Sequence, residues 1–321
     1  MAEVGAGRGA GATGGARGVR AARSGWFRLW LWGDLRARVA TCFVLFALAL
    51  AVLAPLVTSH APSAQGVAPF DGPSWDHWLG TDDLGRDVWA RLVYGARASL
   101  TAAFIAVGVA LALGVPVGLV SGFRGGWLDV VLMRVADVLL SFPGIVIAIA
   151  FIAVLGPGLV NSMTAVGIVF FPSVARVMRG QVLVTKERLY VDAATSFGSP
   201  PWRILVRHVL PNSVQPVIIQ ATFLLGLAVI AEASLSFVGL GVQYPSPSFG
   251  VMLQRAAQFI SLKPSGVYPP GLAIALTVLA FNALGDSLRD ALDPMTSTRR
   301  RLRRLRRRGS ARDLPNEEGP R

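Results

Sequence analysis

The chain has 321 residues, 53% of them hydrophobic and only 15% charged, against about 25% charged in an ordinary soluble domain, which argues against a soluble enzyme. The net charge of +13 gathers at the ends: residues 1–38 contribute +5, residues 39–288 only +2, and residues 289–321 +6. A neutral apolar body between two basic tails is the pattern of a membrane protein with both ends in the cytoplasm rather than of a nucleic-acid binder, and the single cysteine, Cys42, leaves no intrachain disulfide.

Residues 1–38 begin as Gly, Ala and Arg with nothing to bury, so a disordered tail is expected, ending in the interfacial cluster Trp26, Phe27, Trp30 and Trp32. Crossing a bilayer core about 30 Å thick takes roughly 20 helical residues. Six runs qualify, at about 39–58, 99–120, 136–155, 158–178, 214–238 and 268–288. The first reads as a retained anchor rather than a cleaved leader, because a signal peptide has a shorter segment ahead of its apolar core. With both termini inside, 26 Lys and Arg fall on the cytoplasmic side and five outside, namely Arg86, Arg91, Arg97, Arg255 and Lys263. Cationic loops resist translocation, so this orientation is the expected one.

Within the spans, Gly108, Gly114 and Gly118 are small enough to let helices approach closely in lipid. Pro116, Pro143 and Pro172 each free a carbonyl and bend a helix. Asp137 stands one helical turn from Arg134, which predicts a local ion pair.

The outer segment from 59 to 96 holds five acids against two Arg. Two readings stand side by side. Thr81, Asp82 and Asp83 suit the cap of a helix beginning near Leu84; together with Arg86 and Asp87 they equally suit a docking surface for a partner protein. His60, His77 and His208 are scattered along the chain, so no metal site is expected from them.

The stretch 181–211 is too polar to span and too patterned for a slack loop. Val182, Leu183, Leu189, Val191 and Ala194 suit a helix, Gly198 breaks it, and Ser199 is placed to cap a second helix opened by Pro200 and Pro201 and continuing through Trp202, Ile204, Leu205 and Val209. Asp192 is available to a partner or to Arg188 one turn before it. Glu232 lies toward the outer end of the fifth span, where it either lines a solute path or anchors the turn at Gly239 and Gly241. The C-terminal tail packs eight Arg into residues 299–308, which suits contact with anionic headgroups. The only lysines, Lys186 and Lys263, are not preceded by glycine, so the chain has no nucleotide-binding P-loop.

Four spaced motifs carry a resemblance. Asp192-Ala193-Ala194, Gly198, Ile204 and Leu210-Pro211 resemble the Glu-Ala-Ala loop of ATP-binding-cassette importer permeases, with Asp in place of the usual Glu. Leu79-Gly80-Thr81-Asp82-Asp83-Leu84-Gly85-Arg86-Asp87, Glu232-Ala233-Ser234-Leu235-Ser236-Phe237, and Phe281-Asn282-Ala283-Leu284-Gly285-Asp286 with Leu292-Asp293-Pro294 narrow it to the second, C-type, subunit of dipeptide, oligopeptide and nickel importers. The resemblance covers roughly residues 39–295. It implies an all-α, six-span type I permease domain over 39–295, between a basic tail at 1–38 and an Arg-rich tail at 296–321. It further implies a sister permease, two cytosolic ATPases that use ATP and magnesium, and an extracytoplasmic solute-binding protein, with no cofactor on this chain. The motif residues at 192–211 are then the ATPase-coupling loop, and the solute a di- or oligopeptide, with nickel or glutathione as alternatives. Two rivals remain: an ion-coupled transporter using Glu232 and Asp137, and a lipid-binding scaffold using the Arg tail.

Overall fold

The computed structural model describes residues 35–66 and 68–292; the expectations for the N-terminal aromatics and for the tail at 296–321 lie outside them. The described chain is helical, and its only β pairing is an isolated antiparallel bridge between Thr81 and Asp87. The helices are α1 (Leu35–Val52), α2 (Ala54–Val57), α3 (Val88–Arg124), α4 (Gly126–Leu140), α5 (Gly144–Leu155), α6 (Leu159–Lys186), α7 (Leu189–Ser196), α8 (Pro201–Ile204), α9 (Leu210–Ser213), α10 (Gln215–Phe237), α11 (Phe249–Gln258) and α12 (Tyr268–Leu292). Among the described residues, five helical segments are long and apolar enough to cross a membrane, six if the bent pair α4 and α5 counts as one.

That bent pair corrects the third expected span. Residues 136–155 are not one helix: α4 and α5 meet at 95° across Ser141-Phe142-Pro143. Pro143 has no N–H to give the preceding turn and its ring excludes a continued helix. Ser141 closes α4 by donating its hydroxyl to the Asp137 carbonyl at 2.8 Å.

The core forms where α3, α6 and α10 pack together, α3 and α6 most extensively. Small residues decide that closeness. A Cβ on Gly114 would stand 2.7 Å from the Phe171 carbonyl oxygen, and one on Gly122 would stand 2.8 Å from Val182 Cβ. Gly118, between them at one-turn spacing, faces the Ala175 carbonyl with no room for a side chain. Gly108, expected to do the same, faces open space, and Gly122 takes its place in the stripe.

Candidate functional site

At one end of the bundle, α6 stops at Lys186, whose Nζ donates to the Gly122 carbonyl at 3.1 Å. Val182 and Leu183 therefore belong to the membrane helix and not to the loop. The chain then folds α7, whose C-terminus is closed by a Schellman turn: Gly198 N–H donates to Thr195 O at 2.9 Å and Ser199 N–H to Ala194 O at 3.1 Å. The turn requires Gly198 to sit at φ +72°, where a side chain would be strained. Ser199 is not the cap of the next helix. That position is Pro200, with no side-chain hydrogen bond, and Pro201 supplies a preset φ to the first turn. Residues Leu205–Val209 widen into a π-helix before Pro211, which has no N–H with which to continue an α ladder.

The resulting knob has two faces. Val191, Ile204 and Val209 are buried in the core cluster, and Ser213 Oγ donates to Thr185 Oγ1 at 3.0 Å in a buried contact. Leu189, Phe197 and Trp202 stand 86%, 90% and 64% exposed. Of the expected coupling residues, Asp192, Ala193, Gly198 and Pro211 are exposed, Ala194 and Leu210 half-buried, and Ile204 buried. Asp192 makes no ion pair with Arg188 among the described residues.

Beside the knob, Arg179 on α6 donates Nε and Nη2 to the two carboxylate oxygens of Asp129 on α4, both at 2.6 Å, and Ser121 of α3 donates to the same carboxylate. Three helices are thus tied at the end that carries the knob. Asp137 pairs not with Arg134 but with Arg176 on α6, at 2.6 Å. Sequence spacing misses both pairs, because it registers helix neighbours and not partners 50 or 39 residues away.

The outer segment folds differently from either expectation. The capped helix starts at Val88, not near Leu84, and runs unbroken into the second span, so that span's helix begins well before the expected 99; its cap is Asp87, which accepts from Trp89 N–H and Ala90 N–H at 3.2 Å each. Thr81 is buried, accepting from Asp71 N–H at 2.8 Å and donating to Ala68 O at 2.7 Å. Arg86 is 1% exposed. Its Nε donates to Asp82 at 2.7 Å and its Nη1 to Tyr244 Oη at 3.1 Å, while Arg91 approaches Asp82 at 3.3 Å and Arg255 pairs with Asp83. The charges expected on a docking surface are instead spent on one another. The exposed large side chains of this loop are Trp75 and Trp78, which charge patterning does not single out.

Glu232 is likewise enclosed rather than solvated, at 1% exposure. Its carboxylate accepts from Ser99 Oγ of α3 and Ser236 Oγ of α10, each at 2.7 Å. Ser236 Oγ in turn accepts from Val242 N–H at 2.9 Å, and Ser99 Oγ from Phe249 N–H at 3.2 Å. One buried acid thereby joins α3, α10, the turn after Gly239 and the start of α11.

Such a bundle, apolar outside and carrying a protruding helical knob at one end, is that of a multi-pass membrane protein. The chain belongs to the family described as binding-protein-dependent transport system inner membrane component, which matches residues 114–298. It is 45% identical to the dipeptide transport system permease protein DppC of Alkalihalophilus pseudofirmus over 257 residues, covering 80% of this chain and 83% of that one. It is 43% identical to the glutathione transport system permease protein GsiD of Pectobacterium atrosepticum over 280 residues, covering 86% and 93%. Among solved structures, an inward-facing MetNI methionine ABC transporter chain superposes with a TM-score of 0.52 at 18% identity, covering 64% of this chain and 98% of that one, a likeness of fold.

Proposed function

We propose that this chain forms half of the translocation pathway of an ATP-driven importer for short peptides, with both termini in the cytoplasm. The observation that carries the reading is the knob at 189–211. Its inner face is fastened to the membrane core, its turn is stiffened by the Gly198 Schellman motif, and its outer face presents Leu189, Phe197 and Trp202 to solvent. An apolar patch on a rigid projection fits a cleft in a second protein. Asp192 at its edge suits an arginine of that protein. The partners are a sister permease, two cytosolic ATPases and an extracytoplasmic solute-binding protein. ATP and magnesium belong to the ATPases, since this chain has no P-loop and binds no cofactor of its own in this scheme. The dipeptide and glutathione permeases among its relatives favour a substrate of two or three residues. Glu232, enclosed by serine hydroxyls, serves here as an anchor of the outer turn.

Uptake of labelled dipeptides and of glutathione into vesicles containing the purified assembly tests this, with wild type set against Gly198→Pro and Asp192→Ala. ATP-dependent uptake that both variants lose while still inserting in the membrane supports the coupled permease. Uptake that persists without ATP, or that ignores both changes, overturns it in favour of an ion-driven transporter.

A further inference from the structure

Three side chains that are distant in sequence meet at the outer end of α3. His60 follows α2, His77 lies in the outer loop, and Asp87 caps α3. One ligand atom of each lies within 4.8 Å of the other two. His60 Nδ1 stands 3.9 Å from Asp87 Oδ2, and His77 Nδ1 3.7 Å from Asp87 Oδ1. Both separations exceed a hydrogen bond. Among the described residues the buried Nδ1 of His77 has no hydrogen-bond partner at all, an arrangement that folded proteins rarely leave uncompensated.

The spacing suits a shared cation. Two ligands each about 2.1 Å from a tetrahedral zinc ion stand about 3.4 Å apart, so each histidine closes on the Asp87 oxygen it faces by about 0.3 to 0.5 Å, and the whole ligand set, now within 4.8 Å, draws in around one ion by small side-chain rotations. The carboxylate is already oriented: each Asp87 oxygen accepts one backbone N–H, from Trp89 and from Ala90. Each retains a second lone pair for a metal, and the backbone donors act as the outer shell that fixes a ligand's direction. The His60 side chain is 40% exposed, which leaves a route for an ion from solvent. Two imidazoles and one carboxylate suit zinc and its neighbours, whereas calcium and magnesium call for oxygen ligands throughout.

We propose that His60, His77 and Asp87 bind one divalent transition-metal ion of the zinc class on the outer face, with a fourth position open to water. The ion clips the chain leaving the first span to the first turn of the second, closing the long segment from 61 to 86. Of the five single-helix spans α1 is the least buried, so such a clip fixes a span that packing holds weakly. Nothing in this depends on what the permease transports.

The test uses the full-length chain in detergent, stripped with a chelator and titrated with zinc sulfate against a chromophoric competitor, with hydrogen exchange followed over residues 58–87. One zinc per chain and slowed exchange in that segment are expected. His60→Ala and, separately, His77→Ala each weaken zinc binding by at least the 10- to 100-fold that loss of an outer-shell partner typically produces, and His208→Ala on the inner loop changes nothing. Unchanged metal-free exchange over α3 and α6 in His60→Ala shows that its fold is intact. Wild-type chain that binds no stoichiometric zinc, zinc held equally well by both histidine variants, or zinc bound without protection at 58–87 each overturns the proposal.

Discussion

The two ends of the membrane body solve opposite problems with similar material. Both the inner knob at 189–211 and the outer loop at 59–87 are polar connections between spans, yet the outer one buries Arg86, Asp87 and Thr81 while the inner one exposes Leu189, Phe197 and Trp202. Outside, Arg86 and Arg91 approach Asp82, and Arg255 pairs with Asp83, within the chain, and the guanidinium groups of Arg86 and Arg255 lie 5.4 and 5.6 Å from the centre of the Tyr244 ring. Inside, the turn is held by backbone hydrogen bonds and leaves its large side chains uncovered. A connection whose charges pair within the chain is built to hold its own shape; a stiff one that leaves apolar side chains uncovered is built to meet something else.

The contrast can be broken by substitution, and the largest effect belongs outside. Arg86→Met strips a buried cation from Asp82 and Asp83, and is expected to lower stability by about 3 kcal/mol, seen as a lower melting temperature in detergent. Glu232→Ala leaves the Ser99 and Ser236 hydroxyls without their acceptor, an expected loss of about 2 kcal/mol by the same assay. At the inner end, Gly198→Val forces a branched residue into a left-handed turn, a strain of about 1–2 kcal/mol. That strain stays within the loop, so ATP-dependent uptake falls while the melting temperature of the body holds. Smallest of all, Phe197→Ser should move stability by no more than about 0.5 kcal/mol, yet weaken co-purification of the ATPase subunit. If Phe197→Ser destabilised the chain as far as Arg86→Met, the distinction between the two ends would be void.

What the sequence disclosed follows the range of each physical rule. Hydropathy located the spans to within a few residues at most ends, because solvation by lipid is a property of composition. It was blind to the right-angle break at Pro143, since an apolar run stays apolar across a bend; the proline was visible as a kink, not as an end to the helix. Turn chemistry at Gly198 was legible because positive φ is a local demand, whereas the cap beside it fell one residue from where Ser199 pointed. Pairings across helices were beyond any local rule. Asp137 has a neighbour one turn away in Arg134 but meets Arg176, and His60 and His77, 17 positions apart, come together with ring centroids 4.8 Å apart beside Asp87. Glu232 was singled out by its rarity in a span, and the serines that enclose it were not, because serine in a membrane helix is unremarkable until its partner is known.

The glycine stripe at 114, 118 and 122 bears on motion. With backbones this near, sliding or rolling α3 against α6 drives carbonyl oxygens into side chains, which favours movement of the two helices as a pair. The stripe thereby links the segment that ends in the knob, at Lys186 of α6, to the helix whose other end is capped by Asp87. Shape change is left to the elbow between α4 and α5, where the ladder of backbone hydrogen bonds is already interrupted.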